Sequence, residues 1–197
     1  MKCQLKKTVR TLLIAALAIA LANCASSSAT VNQTLDLHTG VTVSYVQTPL
    51  VLFRENPMRA AFARNYVYLG PIEVNDSGSY EYFLWFGIWD TMQSSDEAAH
   101  RDGFESVVLF VDDEPLPLEL VGWAPSSIGL QSEVYAAPVA ASADAFYRVT
   151  LDQIRLLAEA RDIRLNVTGA LPREFALWDR QLTASSNLQD FMTQANR

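Results

Sequence analysis

Acidic residues and a histidine fall together in one short segment of this 197-residue chain, and their types suit acid–base chemistry. The segment contains Asp96, Glu97, His100 and Asp102, with Asp96 and His100 four residues apart. If the segment is helical, this spacing places the carboxylate and the imidazole on the same face. The same residue types are common in a solvated loop, and we favour that interpretation.

Paired carboxylates are a second possible source of chemistry. Glycoside hydrolysis requires two carboxyl groups about 5 to 9.5 Å apart. The candidates for acid and base in a hydrolase acting on a cell-wall glycan are Glu81, Asp90 and Glu105. A sequence gives no separation between them, so we assign no catalytic residue.

Three consecutive carboxylates, Asp112, Asp113 and Glu114, offer the oxygen ligands that Ca²⁺ prefers. Pro115 follows them directly, and a turn ending in proline favours acidic residues for conformational reasons. We therefore interpret the cluster as a turn and predict neither a metal site nor a cofactor.

The composition excludes several classes of enzyme. No lysine and no cysteine follows Cys24, so the later chain has no Schiff-base lysine, Walker A loop, catalytic thiol or thiolate metal site. The two histidines, His38 and His100, are far apart in sequence and form no H-x-x-x-H motif.

The aromatic run 80–91 is the most informative interior stretch. In an extended strand, Trp85, Gly87 and Trp89 share one face, and alternating apolar residues occupy the other. A central strand covered on both sides is the favoured interpretation. The alternative is ligand binding by Trp85, Gly87 and Trp89, with a sugar ring or peptide lying over the glycine between two indoles.

The N-terminus has the order of a secretory signal. Four basic residues precede an unbroken apolar run over residues 12–22. Eleven residues give roughly 16 Å of helix, about half of the hydrocarbon core of a bilayer. We expect residues 1–23 to be a cleaved signal peptide.

Residues 21–24 read Leu-Ala-Asn-Cys, which resembles the lipobox of bacterial lipoprotein signals. The resemblance implies that Cys24 is lipidated and becomes the new N-terminus, which anchors the chain to a membrane. Ala25, where inner-membrane lipoproteins commonly have Asp, implies the outer membrane, with the domain facing the periplasm. The alternative is ordinary cleavage after Ala22, which leaves a soluble periplasmic protein with a free thiol.

The chain after Cys24 is acidic. Its 11 basic residues, all arginines, stand against 22 Asp and Glu, for a net charge of −11. Such a charge repels nucleic acid, so we expect no nucleic-acid partner.

Residues 24–32 are small and polar, as in a flexible tether, and 33–197 are expected to form a single domain.

The apolar pattern has mostly a period of two. It predicts hairpins over 34–46, 66–92 and 104–121, and short strands at 50–53, 134–139 and 163–167. Thr150 and Gln153 predict a capping box at a helix start, and 185–195 has helical spacing. The predicted fold is mainly β: an antiparallel β-sandwich or open barrel with one or two covering α-helices. A mixed α+β sheet is the alternative.

The run from residues 66–71 through residues 89–91 is similar to uncharacterised envelope lipoproteins of proteobacteria, a resemblance that implies no activity. The expected function is a lipid-anchored periplasmic module that binds an envelope protein or a cell-wall component. A carboxylate-dependent hydrolase and a structural subunit of an outer-membrane complex are the alternatives.

Overall fold

Ten β-strands and three α-helices make up the part of the chain that the computed structural model describes, residues 30–92, 97–140, 142–169, 171–178 and 182–195. The strands are β1 (Val31–Leu35), β2 (Thr42–Val46), β3 (Leu50–Glu55), β4 (Arg64–Asp76), β5 (Ser79–Asp90), β6 (Ser106–Val111), β7 (Glu114–Gly122), β8 (Ala143–Val149), β9 (Ile163–Val167) and β10 (Arg173–Leu177). The helices are α1 (Glu97–Arg101), α2 (Leu151–Glu159) and α3 (Leu182–Ala195), and a 3₁₀ turn spans Pro125–Ile128.

Eight of these strands close into a barrel in the order β3-β4-β5-β8-β7-β6-β9-β10, and β10 pairs back onto β3. Each pairing is antiparallel. The mainly β prediction is confirmed, and the sheet is a barrel. Neither a sandwich nor a mixed sheet is seen among the described strands. The barrel is closed by the β3–β10 pairing, so its eight strands leave no unpaired edge of the kind an open barrel has.

The long strand β4 exchanges partners halfway along its length. Its first half pairs with β3 up to Leu69, and its second half pairs with β2 from Ile72 onward. Gly70 and Pro71 occupy the gap between the two partners. Proline has no N–H to donate, so it suits a strand position with no neighbour on that side. The β1–β2 hairpin is thereby attached outside the closed barrel.

The inward face of the barrel is filled by large apolar side chains. Register places Leu52, Val67 and Ile88 side by side, and likewise Leu109, Leu165 and Phe175. All six are buried. A filled interior of this kind is typical of a small eight-stranded barrel, and it confines any cavity to the ends.

The two ends of the barrel differ. Helix α2 connects β8 to β9 at one end, where Ile154, Leu157 and Ala158 join the core. The predicted capping box is confirmed, because Thr150 Oγ1 accepts from Gln153 N and Gln153 Oε1 accepts from Thr150 N. At the other end β3 and β5 finish and β4 and β10 begin. We call this end the barrel mouth.

Segment 129–140 crosses the outer surface of β4 and β5 as an irregular loop, so the strand predicted at 134–139 is wrong. The Tyr135 ring stacks on Trp85 with centroids 4.5 Å apart, and its hydroxyl donates to the Pro71 carbonyl at 2.9 Å. The loop is held by side-chain packing, which takes the place of a strand ladder.

At its N-terminal end the sheet begins at Val31, so Val31 and Asn32 belong to β1 and not to the predicted tether. Cys24 and the predicted signal peptide lie outside the described residues, as does Asp96. Among the described residues, no helix has the length and apolar character needed to cross a membrane.

Candidate functional site

A cavity of about 380 Å³ opens at the barrel mouth. Inward-facing polar residues at the strand ends line it, together with the β3–β4 loop, α1 and the segment before β10. Its charged residues are three arginines and two aspartates: Arg54, Arg59, Arg173, Asp90 and Asp102. The arginines outnumber the aspartates by one, in a protein that is acidic as a whole, and His100 also lines the cavity.

Asp90, at the end of β5, is a buried carboxylate that contacts two side chains in this cavity. Arg59 Nη1 from the β3–β4 loop lies 2.9 Å from Asp90 Oδ2, and His100 Nε2 from α1 lies 3.4 Å from the same oxygen. The sequence cluster around His100 therefore does meet a carboxylate. That carboxylate, Asp90, belongs to strand β5.

Arg54 projects from β3 on the face that Leu50 and Leu52 use to enter the core. Its Nε donates to Asn65 Oδ1 at 3.2 Å, and its guanidinium carbon lies 6.0 Å from the centroid of Phe175. It forms no ion pair with any described carboxylate. Burial lowers the pKa of Arg54, because the charged guanidinium loses part of its hydration.

Arg173 enters the same cavity from β10, with a side chain only 15% exposed. It donates to the backbone carbonyl of Asp102, and its guanidinium lies 3.8 Å from the Asp102 carboxylate. Burial lowers the pKa of Arg173, Asp102 partly opposes this, and the nearby charge of Arg54 lowers it further. The guanidinium groups of Arg54 and Arg173 thus repel each other across the cavity.

Several buried polar atoms of the cavity lining have no hydrogen-bond partner among the described residues. They are Trp89 Nε1, Arg173 Nε and both ring nitrogens of His100, whose residue is 5% exposed. Leaving such a group unpaired costs about 1–3 kcal/mol, so an unpaired cluster requires a reason. The three guanidinium groups that line the cavity are complementary to a ligand rich in acceptor oxygens.

The predicted ligand-binding residues occupy two different environments. Trp85 is 2% exposed, and its Nε1 donates to Asp144 Oδ1 at 2.9 Å. Its ring fills the space that the missing side chain of Gly87 leaves open. Trp89 stacks on Tyr66 with centroids 4.5 Å apart and lines the mouth cavity. The structure thus brings only Trp89 to the cavity, and a groove between the two indoles is filled by Trp85 itself.

The other carboxylates considered as acids or bases lie elsewhere. Glu81 is half-exposed and pairs with Arg148, and Glu105 is exposed. The carboxylate of Asp112 accepts from the backbone N–H groups of Arg161 and Asp162. The described residues contain no group of three or more His, Cys, Asp or Glu arranged to hold a metal ion.

Sequence reasoning missed Arg54, Arg59 and Arg173, although two of them left a signal. Arg54 continues the alternation of Leu50 and Leu52, and Arg173 alternates in phase with Phe175. An arginine at the end of a strand, on the same face as the core residues of that strand, indicates that the barrel opening is polar. That signal becomes specific only when the register of the strands is known.

Comparison with protein-family models, with curated proteins and with solved structures finds no match for this chain. The geometry of the mouth cavity is therefore the basis on which a function is proposed.

Proposed function

We propose that this chain is a lipid-anchored binding module of the bacterial envelope whose barrel mouth binds an oxyanion, the phosphate or carboxylate group of a ligand. The observation that carries the proposal is the pair Arg54 and Arg173, half-buried in one cavity and lowered in pKa. An oxyanion placed between them relieves their repulsion and accepts charge-assisted hydrogen bonds from both.

The remaining lining suits the body of such a ligand. Trp89, Phe104 and Phe175 form apolar and aromatic walls around the polar groups. A pocket with mostly apolar walls and a few convergent donors is typical of small-molecule sites.

The proposed location follows from the N-terminal sequence. We propose that Cys24 carries the acyl anchor and that the domain faces the periplasm from the outer membrane, with a soluble periplasmic form as the alternative. A ligand in this compartment would be a component of the cell wall or envelope. The net charge of −11 after Cys24 keeps nucleic acid outside the proposal.

Strand geometry favours binding over hydrolysis by the carboxylates singled out in the sequence. Glu81 and Asp90 belong to the same strand, nine residues apart. At roughly 3.3 Å per residue they are separated by about 30 Å, well beyond the 5 to 9.5 Å that a glycosidase requires. Asp90 is also paired with Arg59.

Isothermal titration calorimetry with sn-glycerol 3-phosphate and with inorganic phosphate tests the proposal. The protein is the full chain carrying Cys24→Ala, purified as the cell processes it, so that no acyl chain contributes. We expect binding by the parent and at least tenfold weaker binding by Arg54→Gln and by Arg173→Gln. The matched control is Arg155→Gln, because Arg155 lies on α2 at the opposite end, paired with Asp152.

Two results would contradict the proposal. One is the absence of binding heat for both anions at millimolar concentration in a folded parent protein. The other is unchanged affinity in both cavity variants, each shown by circular dichroism to be folded. Equal weakening by Arg155→Gln would point to the overall charge and not to the cavity.

A further inference from the structure

Exposed apolar side chains surround the barrel mouth. Met58 and Phe62, on the β3–β4 loop, are 95% and 90% exposed. Leu171, just before β10, is 72% exposed, and Met92, just after β5, is 52% exposed. We call these four residues the apolar rim. Single exposed apolar residues are ordinary on a protein surface, but four of them around one polar cavity are not scattered.

The opposite end of the barrel also exposes apolar residues, among them Leu37, but its charge is different. The surface concavity there is lined by five carboxylates and one arginine: Asp112, Asp113, Glu114, Glu159, Asp162 and Arg161. The mouth cavity has three arginines and two aspartates. Of these two ends, as far as the chain is described, the mouth is the one that combines exposed apolar side chains with an excess of arginine.

From this combination we infer that the barrel mouth docks on the surface of a phospholipid bilayer. The apolar rim inserts at the boundary between headgroups and acyl chains, and the mouth cavity takes the phosphate of one lipid headgroup. The inference rests on the proposed function, because it identifies the oxyanion as a phosphodiester that stays in its membrane.

The partner is a lipid that remains in the bilayer because the barrel has no room for its chains. Below the mouth, Leu69, Phe86 and Leu109 are fully buried and fill the interior. An acyl chain therefore has no channel to enter. In an interfacial contact, apolar residues insert about 5–10 Å into the bilayer while basic residues bind the lipid phosphates. The apolar rim and the arginines of the mouth cavity supply these two kinds of residue.

Charge determines how the domain is oriented. A chain with a net charge of −11 is repelled by an anionic surface as a whole, and this repulsion is strongest for its acidic end. Docking through the mouth points the concavity of Asp112, Asp113 and Glu114 away from the bilayer. The contact then depends on short-range insertion and on phosphate binding, and not on long-range attraction.

Vesicle flotation tests the inference. The full chain with Cys24→Ala is mixed with vesicles of phosphatidylethanolamine and phosphatidylglycerol at a 3:1 ratio. We expect the parent to float with the vesicles and the double variant Met58→Ser/Phe62→Ser to bind at least tenfold more weakly. Leu37→Ser, which removes an equally exposed apolar side chain at the opposite end, keeps the parent affinity.

Calorimetry with sn-glycerol 3-phosphate on the same proteins separates the two claims. The rim variant is expected to keep the parent affinity for the soluble anion, because its cavity is intact. If the parent binds glycerol phosphate but does not float, the bilayer inference is overturned and the proposed function stands. If it does neither, both fail. If the rim variant floats as well as the parent, the rim does not make the contact and the inference is overturned.

Discussion

The indole of Trp85 lies over Gly87, and a Cβ atom at Gly87 would stand 2.4 Å from the ring carbon Cη2 of Trp85. On its outer side Trp85 stacks on Tyr135, and Asp144 accepts a hydrogen bond from its Nε1. The glycine therefore makes room for a tryptophan of its own strand. This packing explains why β5 is apolar on both faces, since the barrel core covers one face and segment 129–140 covers the other.

Gly87→Ala is expected to lower the free energy of unfolding by about 1–3 kcal/mol, the usual range for an overpacked core. The added methyl group has to displace a buried indole that is held by a ring stack and a hydrogen bond. Urea denaturation followed by circular dichroism measures the change.

Trp85→Phe provides the control, because phenylalanine lacks the second ring whose atoms approach Gly87. In that background Gly87→Ala should cost clearly less than in the parent protein. A stabilising effect of Gly87→Ala in the parent, as at an open strand glycine, would show that the indole does not occupy this space.

The carboxylate of Asp36 is expected to stabilise the fold at neutral pH and to lose this effect in acid. Backbone N–H groups of Gln131 and His38 donate to its carboxylate, and these bonds lower its pKa below the usual 3.8. A lowered folded-state pKa contributes stability that is present above 3.8 and is lost as pH falls through the folded value. Asp36→Asn should therefore be less stable than the parent at pH 7, and the difference should shrink below pH 3.8.

Urea titrations of both proteins at pH 7, 4 and 2.5 measure this difference. Asp76→Asn, at the end of β4, is the comparison, because Asp76 is exposed. If the difference in free energy of unfolding between Asp36→Asn and the parent stays constant or widens towards pH 2.5, the assigned role of Asp36 is contradicted.

Cys24→Ala tests the proposed anchor. We expect the parent to remain with the membrane fraction after a high-salt wash and the variant to be released with an unchanged melting temperature. Intact-mass measurement of the membrane-extracted parent should give a chain that starts at Cys24 and carries acyl groups. A mature chain that starts elsewhere with an unmodified thiol would contradict lipidation, and the soluble periplasmic alternative would replace it.

Local structure was predictable where the signal is local. The β4–β5 turn is one example: Ser77 and Gly78 have φ values of +53° and +96°, and Asn75 Oδ1 accepts from Gly78 N–H, as its Asn-Asp-Ser-Gly sequence suggests. The β6–β7 turn behaves in the same way, because Asp112 and Asp113 take positive φ values. Helix α2 begins at its predicted capping box.

Barrel closure was not predictable because it depends on β3 meeting β10, two segments more than 100 residues apart. β10 itself was missed, since Arg173 and Glu174 interrupt its short apolar pattern. The mouth cavity depends on this same pairing. Trp89 could be singled out as a candidate ligand-binding residue, but its neighbours Arg54 and Arg173 meet only in the closed barrel.

The central claim is that the mouth cavity binds an oxyanion, and the indole N–H signals of the tryptophans test it most directly. Trp89 lines the mouth cavity, whereas Trp85 lies outside it and donates its Nε1–H to Asp144. In ¹H–¹⁵N spectra, with Trp89→Phe assigning its peak, titration with sn-glycerol 3-phosphate should shift the signal of Trp89, which borders the cavity, and leave the Trp85 signal in place. A Trp89 signal that does not move at saturating anion, or moves no more than that of Trp85, would contradict the account.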